Sequence, residues 1–86
     1  MKSRANERFW KAYRSLPPDV RMLARKKYRV WRENPNHPSL HFKKVAADTW
    51  SVRIGASYRA LAAEEEGDLI WFWIGSHEDY ERLLRG

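Results

Sequence analysis

The sequence contains no cysteine, and this absence excludes several kinds of chemistry at once. Without thiols the chain can form neither a disulfide nor a thiolate zinc site, so we expect a reducing, cytoplasmic environment. Long apolar runs are also missing. The longest, Leu69 to Ile74, is far too short to cross a bilayer, and the charged start MKSRANER has no signal-peptide core. With no Gly-rich phosphate loop and no nucleophile elbow, nucleotide hydrolysis and serine chemistry have no basis. We predict a soluble domain with no membrane partner.

Positive charge and aromatic side chains are what the chain has in quantity. Its 17 Lys and Arg residues outnumber 11 Asp and Glu, which gives a formal net charge of +6. Such an excess indicates a polyanionic partner such as RNA, although an acidic protein would satisfy it equally well. At 86 residues the chain is near the lower end of what buries a self-sufficient core, and five Trp, four Tyr and three Phe compensate for that. We expect a single domain over residues 1–86.

Hydrophobic periodicity predicts an α+β domain, with a helical hairpin packed on three or four antiparallel strands. The first helix is predicted over residues 5–16 and the second over Pro18 to Glu33, where a Pro-rich segment ends it. Strands are predicted over residues 40–45, 50–54, 58–63 and 69–74. A short C-terminal helix should follow, capped by Ser76 with Asp79 three residues later.

Alternation along these strands assigns side chains to the two faces of the sheet. The face under the helices is predicted to carry Trp50, Val52, Ile54, Tyr58, Ala60, Trp71 and Trp73. The opposite face is predicted to carry Arg53, Arg59, Leu61, Ile70, Phe72 and Ile74. That second face would be polar at one end and apolar at the other.

Two turns decide where the arginines of the second face lie. A three-residue turn at Gly55-Ala56-Ser57 would set Arg53 directly across from Arg59. Like charges in that position are destabilising, so the pair makes most sense if an anion lies between the two guanidiniums. A two-residue turn at Glu66-Gly67 would then pair Arg59 with Ile74, close to the end of the last strand. The alternative is that both arginines are ordinary exposed strand residues.

His77 is the strongest catalytic candidate, because it directly follows the last strand. Imidazole changes its charge near neutral pH and can therefore act as a general acid or base, although a helix-start His can also serve only in capping or packing. Tyr80 lies three residues on, on the same helix face, where it could contact a substrate or belong to the core. His41 and one of Lys43 and Lys44 could contact a substrate. With no cysteine and no carboxylate pair near His37 and His41, a metal site is not expected.

The chain resembles the RelE/ParE toxin superfamily over nearly its whole length. The resemblance rests on ENPNHPSL after the helices, on WSVRIGASYRAL in the strands and on IWFWIGSHEDYERLL at the end. The last segment is most similar to the YafQ and HigB-like branch. The resemblance implies that Arg59 is the arginine of the strand YR pair, that His77 is the catalytic histidine and that Tyr80 fills the C-terminal aromatic position. It also implies that Arg53 and a lysine of the Lys43-Lys44 pair are supporting cations.

As a function, the resemblance implies a type II toxin that cleaves mRNA on the ribosome without a metal or cofactor and is neutralised by a cognate antitoxin. The expected partners are therefore the antitoxin, mRNA and the ribosome. A ParE-like gyrase inhibitor and a non-catalytic RNA-binding or antitoxin-binding domain are the alternatives. The chain departs from the family pattern in two places: helix signals begin so early that the usual first strand is predicted to be missing, and the tail around Glu78, Asp79 and Glu81 is acidic.

An apolar strip beside the two arginines is the predicted docking site for the antitoxin. The strip would consist of Leu61, Ile70, Phe72 and Ile74. We expect the short C-terminal helix, which bears Leu83 and Leu84, to cover only part of it. An acidic amphipathic segment would bury its apolar side chains there and set carboxylates against Arg53 and Arg59.

Overall fold

A computed structural model describes residues 2–85 of the chain. Its helices are α1 (Glu7–Arg14), α2 (Pro18–Glu33) and α3 (His77–Arg85), with a short 3-10 helix at Pro38–Leu40. Its strands are β1 (Ser3–Ala5), β2 (Lys43–Ala46), β3 (Thr49–Ile54), β4 (Tyr58–Glu65) and β5 (Asp68–Ser76). The bounds predicted for the second helix are confirmed. The predicted first helix was too long at both ends, because Asn6 caps α1 through its side chain and Ser15 ends it.

The sheet is mixed and has five strands in the order β1-β5-β4-β3-β2. Strand β1 pairs in parallel with β5, and the other neighbours are antiparallel. The α+β class is therefore confirmed. The predictions that the sheet has three or four antiparallel strands, that the helices come first and that the first strand is missing are wrong. The three residues of β1 are too few to show strand periodicity in the sequence. β1 forms because its backbone finds a partner far along the chain, with Ser3 opposite Leu69 and Ala5 opposite Trp71.

Both predicted turns are present. The turn at residues 55–57 sets Ile54 opposite Tyr58 and Arg53 opposite Arg59. The turn at Glu66 and Gly67 has positive φ at both residues, +51° and +85°, as a tight two-residue hairpin requires. The prediction that Arg53 lies directly opposite Arg59 is confirmed.

A β-bulge at Phe72 makes part of the predicted register wrong. Leu61 lies opposite Trp73 and Ala62 lies opposite Trp71, so Phe72 has no partner between them. Beyond the bulge the pairing shifts by one residue, and Arg59 lies opposite Gly75 rather than Ile74. For the same reason the predicted faces of two side chains are exchanged: Ile74 belongs to the core under the helices, and Trp73 shares the face of Leu61.

The core lies between the sheet and helices α1 and α2. Its buried side chains are Leu16, Val20, Ala24, Trp31, Leu40, Val52, Ile54, Ala60, Ala62, Leu69, Trp71 and Ile74. On the opposite face, α3 contacts β4 and β5, and its Tyr80 is buried. Strand β5 is therefore covered on both faces, as its continuous apolar run indicates.

The predicted apolar strip does not exist as an exposed surface. Leu61, Ile70 and Ile74 are buried, and Ile74 lies on the helix side of the sheet. Phe72 is only partly buried, at the bulge, where the Arg8 guanidinium lies over its ring. Leu83 and Leu84 remain exposed instead of covering the strands. The prediction of an exposed strip is thus wrong, because the chain covers most of this surface itself, and where the antitoxin binds stays a prediction. No helix within residues 2–85 is both long and apolar enough to span a membrane.

Candidate functional site

Three segments meet at one end of the sheet: the β3–β4 turn, the end of β5 and the start of α3. The His77 backbone N–H donates to the Ser57 carbonyl at 2.8 Å, and Tyr58 lies opposite Ser76. The predicted cap of α3 is present, since the Asp79 backbone N–H donates to the Ser76 hydroxyl at 3.2 Å. These bonds fix the first residue of α3 beside the turn that joins the strands of the two arginines.

Arg53 and Arg59 share one backbone acceptor. The Gly55 carbonyl accepts from Arg53 Nε at 3.1 Å and from Arg59 Nη1 at 3.5 Å, and the Tyr58 carbonyl accepts from Arg59 Nη1 at 2.8 Å. Within residues 2–85, neither guanidinium has a carboxylate within salt-bridge distance. Two adjacent cations held by carbonyl oxygens retain donors that can still bind an anion.

The electrostatics of Arg59 indicate the same capacity. Burial, followed by the nearby charge of Arg53, lowers the pKa of Arg59 below its ordinary value, while Tyr80 and Glu81 act in the opposite direction. A guanidinium stays protonated at physiological pH, so the lowered pKa reflects an unfavourable environment for the charge. An anion bound between Arg53 and Arg59 would relieve it.

His77 is paired with a carboxylate that the sequence analysis did not assign to the site. Its Nε2 lies 3.3 Å from Glu81 Oε1, one helical turn away, and the His77 side chain is 44% exposed. Glu81 also acts electrostatically on Arg59. The i, i+4 spacing of His77 and Glu81 is a signal that could have identified the pair, but Glu81 was interpreted only as part of an acidic tail.

Tyr80 lies beneath these groups. Its ring centre is 6.0 Å from the Arg59 guanidinium carbon and 6.0 Å from the centre of the His77 ring. Tyr80 is buried, and its hydroxyl donates to the Ser51 hydroxyl at 3.4 Å. The phenol thus points into the protein, and the ring supports Arg59 and His77 from below.

The remaining predicted site residues lie at different distances from the arginine pair. His41 is adjacent to it, with its Nε2 3.5 Å from Arg53 Nη1. Lys43 lies opposite Ser51, on the face of Arg53, whereas the Lys44 ammonium lies over the Trp50 ring on the helix side. One lysine of the pair therefore shares the site face, and it is Lys43.

His37 is separate from the arginine pair. Its Nδ1 is 2.9 Å from the Ser39 hydroxyl, and that hydroxyl accepts from the Lys27 ammonium at 3.1 Å. These contacts hold the 3-10 helix against α2.

Trp73 is a second site residue that the sequence analysis missed. Its indole lies so close to Gly75, opposite Arg59, that a Cβ placed on Gly75 would be 2.5 Å from the ring. Trp73 is partly exposed on this face. No pattern could have placed it there, because the bulge at Phe72 decides which way it faces.

The assembled groups suit one kind of chemistry. Arg53 and Arg59 can hold a phosphate, and His77, oriented by Glu81, can move a proton next to it. Trp73 offers a partly exposed aromatic surface on the same face. We call Arg53, Arg59, His77 and Glu81 the arginine–histidine site.

The fold and this site define a small α+β domain that can bind an anion at one end of its sheet. The model of the ParE-like toxin domain family matches residues 18–82. The chain therefore belongs to the ParE-like toxin domain family, within the RelE/ParE superfamily, as the resemblance implied. A comparison with curated proteins gives no match.

Solved structures of RelE and YoeB/ParE proteins have the same fold. The RelB-RelE complex of Methanococcus jannaschii matches with a TM-score of 0.71 at 13% identity, over 92% of this chain and 95% of that one. The YoeB/ParE toxin of Agrobacterium tumefaciens matches with a TM-score of 0.67 at 17% identity, over 90% and 99%. The isolated E. coli RelE toxin matches with a TM-score of 0.62 at 19% identity, over 98% and 95%.

Proposed function

We propose that this chain is the toxin of a type II toxin–antitoxin system and acts in the cytoplasm as a metal-independent endoribonuclease on ribosome-bound mRNA. One observation carries the proposal. Two cross-strand arginines that have no carboxylate partner among residues 2–85 lie beside a half-exposed histidine that is paired with Glu81. A protein that only bound an anion would need the two arginines but no paired imidazole. The paired imidazole adds a group that can transfer a proton.

The proposed reaction uses the ribose of the RNA as its own nucleophile. A base removes the proton of the 2′-hydroxyl, whose oxygen attacks the adjacent phosphorus while the bond to the 5′-oxygen of the next nucleotide breaks. An acid protonates that leaving oxygen, so the products are a 2′,3′-cyclic phosphate and a 5′-hydroxyl. We assign proton transfer to His77 and stabilisation of the charge on the phosphate to Arg53 and Arg59.

The other residues near the site would contact the substrate or hold Arg59 and His77 in position. Lys43 and His41 lie where they can contact the RNA backbone next to Arg53. Tyr80 and Glu81 act through Arg59 and His77, and we regard them as positioning residues. Trp73 can stack on an unpaired base, because every base offers an aromatic face.

An antitoxin protein is the expected regulator of this activity. Related folds are solved as RelB-RelE complexes from Methanococcus jannaschii and E. coli, in which a toxin is bound by its antitoxin. The proposed membership of the YafQ and HigB-like branch rests on the IGSH segment that ends β5 and begins α3.

Gyrase inhibition is the second candidate, and the match to a ParE-like family model favours it. A gyrase inhibitor acts by binding a protein, so it has no need of the His77–Glu81 pair. The two functions therefore predict opposite consequences of changing His77.

The test uses a translation extract and a DNA supercoiling assay with the same purified protein. The wild type should stop translation and cleave the mRNA, and it should leave gyrase active. His77→Ala should slow cleavage by about 10²–10⁴-fold because a general acid or base is lost. Arg59→Ala should slow it by about 10²–10³-fold, by analogy with the loss of one stabilising donor.

Arg82→Ala is the matched control, because it removes the same charge from an exposed position on α3. It should cleave like the wild type, and circular dichroism should show that all three variants are folded. A folded His77→Ala protein with undiminished cleavage would remove His77 from the mechanism. Inhibition of supercoiling without cleavage of mRNA would support the ParE-like alternative.

A further inference from the structure

One row of residues crosses the sheet from β3 to β5 at the arginine–histidine site. Arg53 on β3 lies opposite Arg59 on β4, and Arg59 lies opposite Gly75 on β5. Gly75 has no side chain, and the Trp73 indole occupies the space that one would fill, since a Cβ added there would be 2.5 Å from the ring. The indole therefore takes the third place in the row, on a strand about 5 Å from that of Arg59.

The β-bulge on β5 puts Trp73 on this face. Phe72 is left without a partner on β4, so Trp73 lies opposite Leu61, on the face of the two arginines. Regular alternation from Trp71 would instead send Trp73 to the side of the helices. Bulges often re-aim a side chain next to a functional site, and here the re-aimed ring stays partly exposed.

Tyr80 offers no surface for a base at the same place. Its ring is buried, and its hydroxyl donates to the Ser51 hydroxyl at 3.4 Å. The Arg59 guanidinium lies 6.0 Å from the centre of the Tyr80 ring. A nucleotide base cannot stack on a ring that the protein covers in this way. Trp73 is therefore the aromatic ring of this part of the site that a base can reach.

Positive charge continues the row beyond Arg53, at the end away from Trp73. The His41 Nε2 lies 3.5 Å from Arg53 Nη1, and Lys43 on β2 lies opposite Ser51, on the same face. Sites for single-stranded nucleic acid combine the same two elements, because bases stack on aromatic rings while phosphates follow a positively charged track.

We propose that a single strand of RNA crosses this face from β5 to β2, with one unpaired base stacked on Trp73. The phosphates that follow would contact Arg59, Arg53 and Lys43, along three strand spacings or about 14 Å. A stack reads the face of the base and not its hydrogen-bonding edge, so bases of every kind should be accepted. This path rests on the proposed function, because it takes RNA as the ligand.

The first measurement uses a single strand that cannot be cleaved. A 2′-deoxy sugar at every position removes the nucleophile, and the strand contains 2-aminopurine, whose fluorescence falls when the base stacks. The wild type should bind this strand at low salt and quench its fluorescence. Trp73→Leu should bind about 5- to 150-fold more weakly, as expected from the loss of one stacked base, and should not quench.

Two matched variants control for the fold and for the loss of any tryptophan. Trp73→Phe keeps a ring in place and should retain most of the binding and the quenching. Trp10→Leu removes a tryptophan that is 43% exposed on α1, on the other side of the sheet, and should behave like the wild type. Circular dichroism should show that every variant is folded.

The second measurement locates the path on the substrate, as kcat/KM at a mapped cleavage site in the ribosome-dependent assay. Single bases near the cut are removed one at a time, and single phosphates are replaced by uncharged methylphosphonates. Removal of the base that stacks on Trp73 should cost little more once Trp73→Leu is present, because both changes remove the same contact. Lys43→Ala should be coupled in the same way to a phosphate on the other side of the cut.

Each of the following results would contradict this path. Trp73→Leu could bind and quench like the wild type, or the wild type could fail to bind the strand at low salt. Additive effects at every base, or coupling of Trp73 and Lys43 to the same side of the cut, would exclude a strand that crosses the sheet. Quenching that depends on Trp73, in a chain that cleaves no RNA, would contradict the proposed reaction alone and leave the base-binding surface standing.

Discussion

Arg59 is the residue whose surroundings most favour the binding of an anion. It lies across from another arginine, its pKa is lowered by burial and by that neighbour, and its hydrogen bonds go to carbonyl oxygens of the adjoining turn. Burial and the charge of Arg53 disfavour the charge of Arg59 in the free protein, and its hydrogen bonds to carbonyl oxygens leave it without a compensating negative charge. A residue used only for folding would be expected to pair with a carboxylate, as Arg82 does with Asp79.

Inorganic sulfate should therefore stabilise the wild-type chain by binding at Arg53 and Arg59. At a sulfate concentration tenfold above its dissociation constant, the gain is about 1.4 kcal/mol, which corresponds to a rise in Tm of several degrees for a domain of this size. Arg59→Gln should lose most of this rise, whereas Arg82→Gln should keep it. The Tm of each of the three proteins is measured with and without sulfate. The general effect of salt on stability is common to all three and therefore cancels in the comparison. Equal shifts in all three would mean that Arg59 binds no anion.

Strand β5 and helix α3 determine the site at the scale of elements, and they also show what the sequence could predict. The hairpin of β3 and β4 was predictable, because Gly55 marks the turn and the flanking residues alternate, so the facing of Arg53 and Arg59 followed. The cap at Ser76 was predictable for a similar local reason. The bulge at Phe72 was not, because β5 is apolar at every position from Leu69 to Ile74 and carries no alternation that could reveal a slipped register.

What escaped prediction depends on contacts between distant parts of the chain. Strand β1 exists only through its pairing with β5. Trp73 faces the site only because of the bulge, and Tyr80 is buried because α3 covers the sheet face opposite α1 and α2. Such outcomes are set by which surfaces pack together, and local sequence patterns do not report them.

Gly75 and Trp73 provide a test of the bulged strand. Gly75→Ala should destabilise the fold by about 1–3 kcal/mol, because the new methyl group would clash with the indole. In a Trp73→Ala background the same change should cost much less, so the two substitutions should show an interaction energy of about 0.5–3 kcal/mol. Urea unfolding of the two single variants and the double variant measures it. Additive effects would mean that the indole does not lie against Gly75.

The two faces of the sheet present different surfaces. The face of α3 holds the arginine–histidine site, and the face of α1 and α2 holds an apolar groove with a basic rim. The net charge of +6 suits the proposed RNA substrate, because RNA is negatively charged.

We propose that the chain cleaves RNA through the 2′-hydroxyl of its substrate, with His77 moving a proton. The most direct measurement maps a cleaved site in mRNA and then replaces the nucleotide before the cut by its 2′-deoxy form, in the same ribosome-dependent assay. We expect a 2′,3′-cyclic phosphate and a 5′-hydroxyl from the ribose substrate, and no cleavage at the 2′-deoxy position by the same active protein. Cleavage of the 2′-deoxy substrate at an undiminished rate would contradict it.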